Sequence, residues 1–328
     1  MIYSKEVFNL AEVEIARRHV EALTMFEKRQ EELEIKAPEI AEVNRQLTNT
    51  SVELSKAIMS KKSDLQTTIE KIKDENLKAQ KLIRILLKDF GYSEDYLDMH
   101  YTCKNCLDTG FKNGFRCECF NDLLKKYSIK EINNKSKIKL MNFADFKLDY
   151  YPNGTDERIG TSPRLEMTAN LNECIKFVKD FSLESQSMFF VGKTGLGKTF
   201  LSSAIAKELM QKGYNVAFDS IQNFLRAIEN EHFGRVFGTD TLQTLIDTDL
   251  LILDDLGSEF NSPFYASALY NIINTRLNKG VPTIISSNLS LKDLQSKYDD
   301  RIISRITGMF SILNFFGNDI RYINAMNK

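Results

Sequence analysis

Residues 187–212 read SMFFVGKTGLGKTFLSSAIAKELMQK, and three features of that stretch decide the fold. An apolar run comes first, Met188 to Val191, short and apolar enough for a buried strand. Gly192, Lys193, Thr194, Gly195, Leu196, Gly197, Lys198 and Thr199 follow and fit G-x-x-x-x-G-K-[ST]. A helical pattern then runs to Lys212. Strand, glycine-rich turn and helix N-terminus in that order make a phosphate cradle, because glycines let backbone N–H groups wrap the phosphates and the helix end adds positive potential. Lys198 is expected at the β and γ phosphates and Thr199 on Mg²⁺. Without a ligand, the same string would be an ordinary strand-to-helix turn.

Downstream, NVAFDS (215–220), LLILDD (250–255) and PTIISS (282–287) are further strand candidates, separated by helical stretches such as FYASALYNIINTRLNK (264–279). That alternation predicts βαβ units and a parallel sheet covered on both faces, an α/β fold. LLILDD puts Asp254 and Asp255 at the C-terminal end of a buried strand, the edge where open α/β sheets bind ligands. Asp254 is read as the magnesium partner, directly or through water, and Asp255 as the group that polarises the attacking water. Paired acids can also simply cap the next loop. Asn288, following PTIISS at the same edge, could hold that water or sense the γ phosphate; standing alone it would be a turn residue.

Composition narrows the remaining possibilities. The formal net charge of -1 gives no bulk attraction to DNA or anionic membrane, so any nucleic-acid surface must be local. No signal-peptide segment opens the chain and no run is long and apolar enough to span a bilayer, which predicts a cytoplasmic protein without a membrane partner. Four of the five cysteines fall between Cys103 and Cys119, and clustering of that kind favours metal over a disulfide framework. Cys103-x-x-Cys106 and Cys117-x-Cys119 supply four thiolates suited to a closed, structural tetrahedral Zn²⁺ site. His100 could replace one thiolate, since the second pair is tightly spaced; a redox pair at Cys103 and Cys106 is the alternative.

The first ninety residues contain no glycine and one proline, Pro38, which predicts long helices with Pro38 opening the second. Apolar residues at Val43, Leu47, Leu54, Ile58, Leu65, Ile69 and Ile72 keep to one helical face, as in a hairpin or coiled coil. That stripe fits either a solvated spacer or a docking surface. Residues 123–139, dense in lysine, read as a linker, with contact to a phosphate backbone as the sharper option. The chain thus divides into a helical arm (1–98), a zinc-binding module (99–122), a basic linker (123–139) and a nucleotide-binding core (140–328).

The ordered set GKTGLGKT, LLILDDLG, IISSN, DDRIISRITG and GNDIR resembles the AAA+ ATPases of the bacterial helicase-loader group, DnaC and DnaI, and their relative IstB, the transposase helper. The resemblance spans about residues 140 to 328. It implies a five-stranded core of order 5-1-4-3-2, ATP as ligand, Asn288 as sensor 1, Arg305 as the arginine finger with Arg301 as a second candidate, and Arg321 as sensor 2. It also implies that Arg305 serves the ATP of a neighbouring copy, so that the chain self-associates. Asp255 stands where AAA+ proteins usually carry Glu, which implies slow turnover, and only seven residues follow Arg321, little room for a helical lid. The segment at Phe143 and Phe146 resembles the family's linker beside the adenine, although both could be structural.

Between NVAFDS and LLILDD lies the stretch where the replication-initiator clade places an extra helix that faces single-stranded DNA. There Phe224, Phe233 and Phe237 could stack on bases, with Lys212, Arg226 and Arg235 nearby, or simply fill the core. The activity implied is ATP-dependent loading of a replicative helicase, bound through the N-terminal region, onto single-stranded DNA. A transposition helper or a nucleotide-binding scaffold with little turnover are the alternatives.

Overall fold

Three long helices fill the first ninety residues: α1 (Lys5–Lys36), α2 (Pro38–Met59) and α3 (Leu65–Asp89). The computed structural model describes residues 3–59 and 65–321. Pro38 takes the first position of α2, where its fixed φ suits a helix and its missing N–H costs nothing. Leu33, Ala37 and Ile40 meet Ile83 and Leu87 in one apolar cluster, which Val43 and Leu47 extend. The start of α2 therefore lies beside the end of α3, as in an antiparallel hairpin. Within the apolar stripe, Ile72 is buried, and Val43 and Leu47 are half-buried against the cluster of their own unit. The side chains of Leu54, Ile58 and Leu65 lie outside the described residues.

A small ribbon follows, β1 (Phe111–Lys112) paired antiparallel with β2 (Phe115–Arg116). Asn113 and Gly114 turn it with φ of 52° and 81°, the left-handed pair that two-residue hairpins require. Next comes α4 (Glu118–Lys135). The expected linker at 123–139 is thus helical over most of its length. Leu123, Leu124 and Ile129 are buried, and Ile129 and Ile132 belong to the sheet's core cluster. The lysines that suggested a linker, among them Lys125, Lys126 and Lys130, sit on the exposed face of the same helix.

The remaining elements alternate: α5 (Pro163–Lys179), β3 (Met188–Val191), α6 (Lys198–Gln211), β4 (Val216–Ser220), α7 (Ile221–His232), α8 (Thr241–Asp247), β5 (Leu250–Leu256), α9 (Pro263–Asn278), β6 (Thr283–Ser287), α10 (Leu291–Lys297), α11 (Asp300–Met309) and β7 (Ser311–Asn314). The five strands β3 to β7 form one parallel sheet in the order β4-β5-β6-β3-β7. Counted from β3 and read from the β7 edge, that is 5-1-4-3-2, the order the family resemblance implied. Apolar clusters cover both faces. By contact the chain separates into two compact units, Glu12–Phe120 and Met1–Ala11 with Asn121–Lys328.

Each edge of the sheet is met by an asparagine. On β4, Asn133 of α4 donates through Nδ2 to Val216 O (2.6 Å) and accepts from Phe218 N–H (3.0 Å). On β7, Asn170 of α5 donates to Asn314 O (2.8 Å). Inside, Arg276 is fully buried, and among the described residues no carboxylate lies at hydrogen-bonding distance from it. Its guanidinium donates to the carbonyls of Leu245, Ile246, Thr248 and Pro282 and to Thr283 Oγ1, closing the end of α8 onto the start of β6. Burial holds its pKa down to about 9.

Candidate nucleotide site and cysteine cluster

The parallel sheet brings the C-terminal ends of its strands to one edge, and the residues singled out in the sequence collect there. From β3 the chain enters Gly192, whose N–H donates to Ser287 O (3.2 Å). Gly195 and Gly197 then take φ of 74° and 91°, a region that side chains disfavour. At Gly197 a Cβ would also sit 2.9 Å from both the Phe146 ring and Tyr151 Oη. Lys198 opens α6 and folds back on the loop, donating to Gly192 O (2.5 Å) and Lys193 O (2.8 Å). Burial holds the Lys198 pKa below the ordinary lysine value, against the pull of Asp255 and Asp254.

Asp254 is buried on β5, and the half-buried Asp255 follows it. Asp254 accepts from Thr199 Oγ1 at 2.9 Å and from Ser286 Oγ at 2.5 Å. Burial raises its pKa, and these two hydrogen bonds oppose the rise. Asp255 has φ of 61°, left-handed backbone that a non-glycine residue seldom adopts. A cavity of about 560 Å³ is lined by Thr194, Gly195, Leu196, Gly197, Lys198 and Thr199 together with Asp254, Asp255, Asn288 and Arg321. Gly192 and Lys193 form the loop's entry, just behind that lining. Phe146, buried, lines the cavity and packs on Phe200, and the half-buried Phe143 packs against the same core cluster.

Arg321 reaches the cavity because the segment before it docks on the loop. Ile320 N–H donates to Gly195 O (3.0 Å), and Asp319, which accepts from Arg321 N–H (2.9 Å), lies against Gly195 where a Cβ would stand. Arg305 lies elsewhere. On α11 its Nε donates to Asn274 Oδ1 (2.9 Å), and its guanidinium stands 5.0 Å from the centre of the Tyr270 ring, with Arg301 at 5.5 Å from the same ring. Of the three phenylalanines considered for base stacking, Phe224 is buried in the core, while Phe233 and Phe237 are exposed and Arg235 stands 6.0 Å from the Phe233 ring.

Sequence reasoning passed over three residues of this site. Ser286 binds Asp254; Tyr151, fully buried, donates its hydroxyl to Leu196 O (2.9 Å); Asp319 docks on Gly195. Ser286 and Asp319 stood inside quoted motifs, two residues before Asn288 and Arg321, and that alternate spacing was the available signal. Tyr151 carried none, because its partner is a backbone carbonyl.

The four cysteine sulfurs of residues 103–119 lie within 4.8 Å of one another, with Cys103 to Cys117 at 3.8 Å and Cys106 to Cys119 at 3.5 Å. Four Zn–S bonds of about 2.3 Å in a tetrahedron put sulfurs about 3.8 Å apart, so the donor set fits zinc. Backbone N–H groups of Cys106 and Asn105 hold the Cys103 thiol down to about 7, while burial and the neighbouring sulfurs push Cys119 up. Asp108 fixes the turn by accepting from Thr102 N–H (2.7 Å) and Cys103 N–H (2.8 Å). His100 stands apart from the cluster, its ring nitrogens facing Arg29 and Asp95 O.

A glycine loop opening a helix, a strand ending in two carboxylates beside it, and a parallel 5-1-4-3-2 sheet define a P-loop nucleotide-binding fold of the AAA+ type. The family model described as IstB-like ATP binding protein matches residues 131–321, more than half of the chain. The chain belongs to this family of DnaC/DnaI-like AAA+ proteins related to IstB. It is 27% identical over 149 residues to the replicative helicase loader DnaC of Escherichia coli K12, covering 44% of this chain and 60% of that one. With the replicative helicase loader DnaI of Bacillus subtilis 168 it shares 27% identity over 141 residues, 43% of this chain and 45% of the relative. The chain therefore spans about half of these curated relatives' length. A crystal structure of the DnaC helicase loader is similar at 27% identity and a TM-score of 0.44, over 53% of this chain and 98% of that one. Among the described residues no helix is long and apolar enough to cross a membrane.

Proposed function

We propose that this protein is an ATPase that loads a replicative DNA helicase onto single-stranded DNA, with ATP binding and slow hydrolysis switching its affinity for the helicase. The observation that carries the reading is the single cavity where the loop, Asp254, Asp255, Asn288 and Arg321 meet. Backbone N–H groups of residues 194–199 and the α6 N-terminus hold the phosphates, and Lys198 turns from the carbonyls of Gly192 and Lys193 to the β and γ groups. Thr199 and Asp254 would hold Mg²⁺, which when bound neutralises charge on the phosphoryl group. Asp255 orients the attacking water, Asn288 steadies it beside the γ phosphate, and Arg321 senses that phosphate. The match to IstB-like proteins leaves residues 1–130 unmatched, and the helical arm and cysteine cluster found there favour a loader over a bare transposition helper.

Lys198→Ala is expected to lose ATP binding in a folded protein, whereas Asp255→Asn keeps Mg-ATP and loses turnover by about a hundredfold, the usual loss for a positioned base. Binding isotherms and phosphate release read the two apart. Equal loss of binding in both variants would refute the division of roles, and no turnover in the wild type would leave a nucleotide-binding scaffold.

Arg305 lies outside the cavity of its own chain and is read as a finger for the ATP of a second copy, so the active form self-associates. Arg305→Ala chains keep a sound loop, and Lys198→Ala chains keep a sound finger. Mixing the two is expected to restore ATPase activity that neither has alone; full activity in Arg305→Ala by itself removes the finger.

For single-stranded DNA, the exposed Phe233 and Phe237 beside Arg235 offer stacking faces with a cation. Phe237→Ala is expected to weaken oligonucleotide binding by about tenfold, one stacked base's worth, with ATP affinity unchanged. Unchanged affinity in fluorescence anisotropy would move the DNA surface elsewhere.

The helicase is assigned to the N-terminal unit, where α1 exposes Val13, Val20 and Ile35 and the cysteines would hold one structural Zn²⁺ with no open position. Protein purified without added metal is expected to carry about one zinc per chain, and chelation to abolish helicase capture while ATP binding persists. A metal-free protein overturns the zinc site, and helicase capture that survives deletion of residues 1–122 overturns the N-terminal assignment.

A further inference from the structure

The segment Ser286–Ser287–Asn288–Leu289 is built as the complement of Asp254–Asp255–Leu256–Gly257, contact by contact. The β5–β6 ladder is regular from Leu251 to Leu253, paired with Thr283 to Ile285, then shifts register before Leu256 pairs with Ser287. Such a bulge breaks ladder bonds and re-aims side chains. Here it falls on the two carboxylates.

Hydroxyl groups replace the broken ladder. Ser286, 1% exposed, donates its Oγ hydrogen to Asp254 Oδ1 and accepts from Asp255 N–H at 3.0 Å. Ser287, fully buried, donates to Leu256 O at 2.6 Å and accepts from Leu289 N–H at 3.1 Å. Leu289 then packs where Gly257 has no side chain: a Cβ there would lie 2.5 Å from Leu289 Cδ1. Asn288 is thereby held between two residues locked to the strand that carries Asp254 and Asp255. One hydroxyl governs both acids, because a serine can donate and accept at once.

We infer that Ser286 is a positioning residue of the nucleotide site, orienting Asp254 for the divalent cation and holding Asp255 in its left-handed conformation, so that β6 sets both acids and Asn288 as one unit. Asp254 has two oxygens. Thr199 binds Oδ2 and Ser286 binds Oδ1, so Ser286 keeps the carboxylate from turning on the side away from Thr199, with which Asp254 would hold the cation. Without Ser286, the buried Asp254 loses a charge-assisted hydrogen bond and Asp255 N–H loses its acceptor.

This inference rests on the nucleotide-site reading, and its experiment separates the two. Full-length wild type, Ser286→Ala and Ser286→Thr are titrated with a fluorescent ATP analogue, first in EDTA and then against Mg²⁺, and phosphate release is followed in parallel. Metal-free nucleotide affinity is expected to stay within about twofold in Ser286→Ala, while the Mg²⁺ concentration giving half the metal-dependent change rises about tenfold and kcat falls by a similar factor. Ser286→Thr, which keeps the hydroxyl, is expected to return both to within about threefold of wild type. A wild-type Mg²⁺ dependence in Ser286→Ala overturns the inference, as does an equal loss of affinity with and without metal, the mark of a merely structural role. If wild type binds nucleotide without hydrolysing it, the ATPase reading fails, yet the Mg²⁺ titration still decides the role of Ser286.

Discussion

A carboxylate taken out of water at the end of a central strand needs partners, and Asp254 finds them on both sides. Thr199 reaches it from the first turn of α6 and Ser286 from the next strand, so one buried side chain ties three elements together. Leaving such a group unpaired inside a protein costs several kcal/mol, of order the margin by which a domain is stable at all. The position of α6 over the sheet, and the phasing of β6 against β5, must therefore satisfy Asp254 before anything else. The loop geometry follows, because Lys198 and Thr199 are consecutive residues of the same helix turn.

Around that anchor, small residues mark the points where other segments press close. Asp319 occupies the volume a side chain on Gly195 would take, and Leu289 does the same at Gly257. The loop is thus shaped from both directions: by Tyr151 and Phe146 beneath Gly197, and by residues 319–321 against Gly195. Elsewhere in the core the same logic of satisfied polar groups appears at Arg276, whose guanidinium is hydrogen-bonded by backbone carbonyls, with Asp249 and Asp247 acting on it only through their field. A planar fork with five donors can do this where a lysine could not.

Legibility in the sequence tracked how local each cause was. The loop at 192–199, the two acids after LLIL and the helix opening at Pro38 were readable because each depends on neighbours a few residues away. The lysine-rich stretch at 123–139 misled because charge on one face of α4 hid the burial of Leu123, Leu124 and Ile129 on the other. The strand at 311–314 passed unmarked because its burial is shallow, with only Leu313 fully covered, and its pairing with β3 joins residues more than a hundred positions apart. Tyr151 was invisible for a related reason: its hydroxyl's partner, Leu196 O, is set by the fold and not by its own segment. His100, a candidate replacement ligand because of the tight Cys117-x-Cys119 spacing, faces Arg29 and Asp95 O, apart from the four grouped sulfurs, a placement its sequence position does not reveal.

The asparagines at the sheet's margins have a consequence for how copies of this chain can meet. An open parallel sheet ends in two rows of unpaired peptide groups, each a template onto which a stray strand could add. Asn133 mimics such a strand on β4, filling one carbonyl and one amide with its own carboxamide, and Asn170 takes the terminal carbonyl of β7. Strand addition at β4 would have to expel Asn133 along with the helix that carries it. Both margins are thereby less open to continuous backbone pairing with a second chain, the kind of pairing that tends toward fibres.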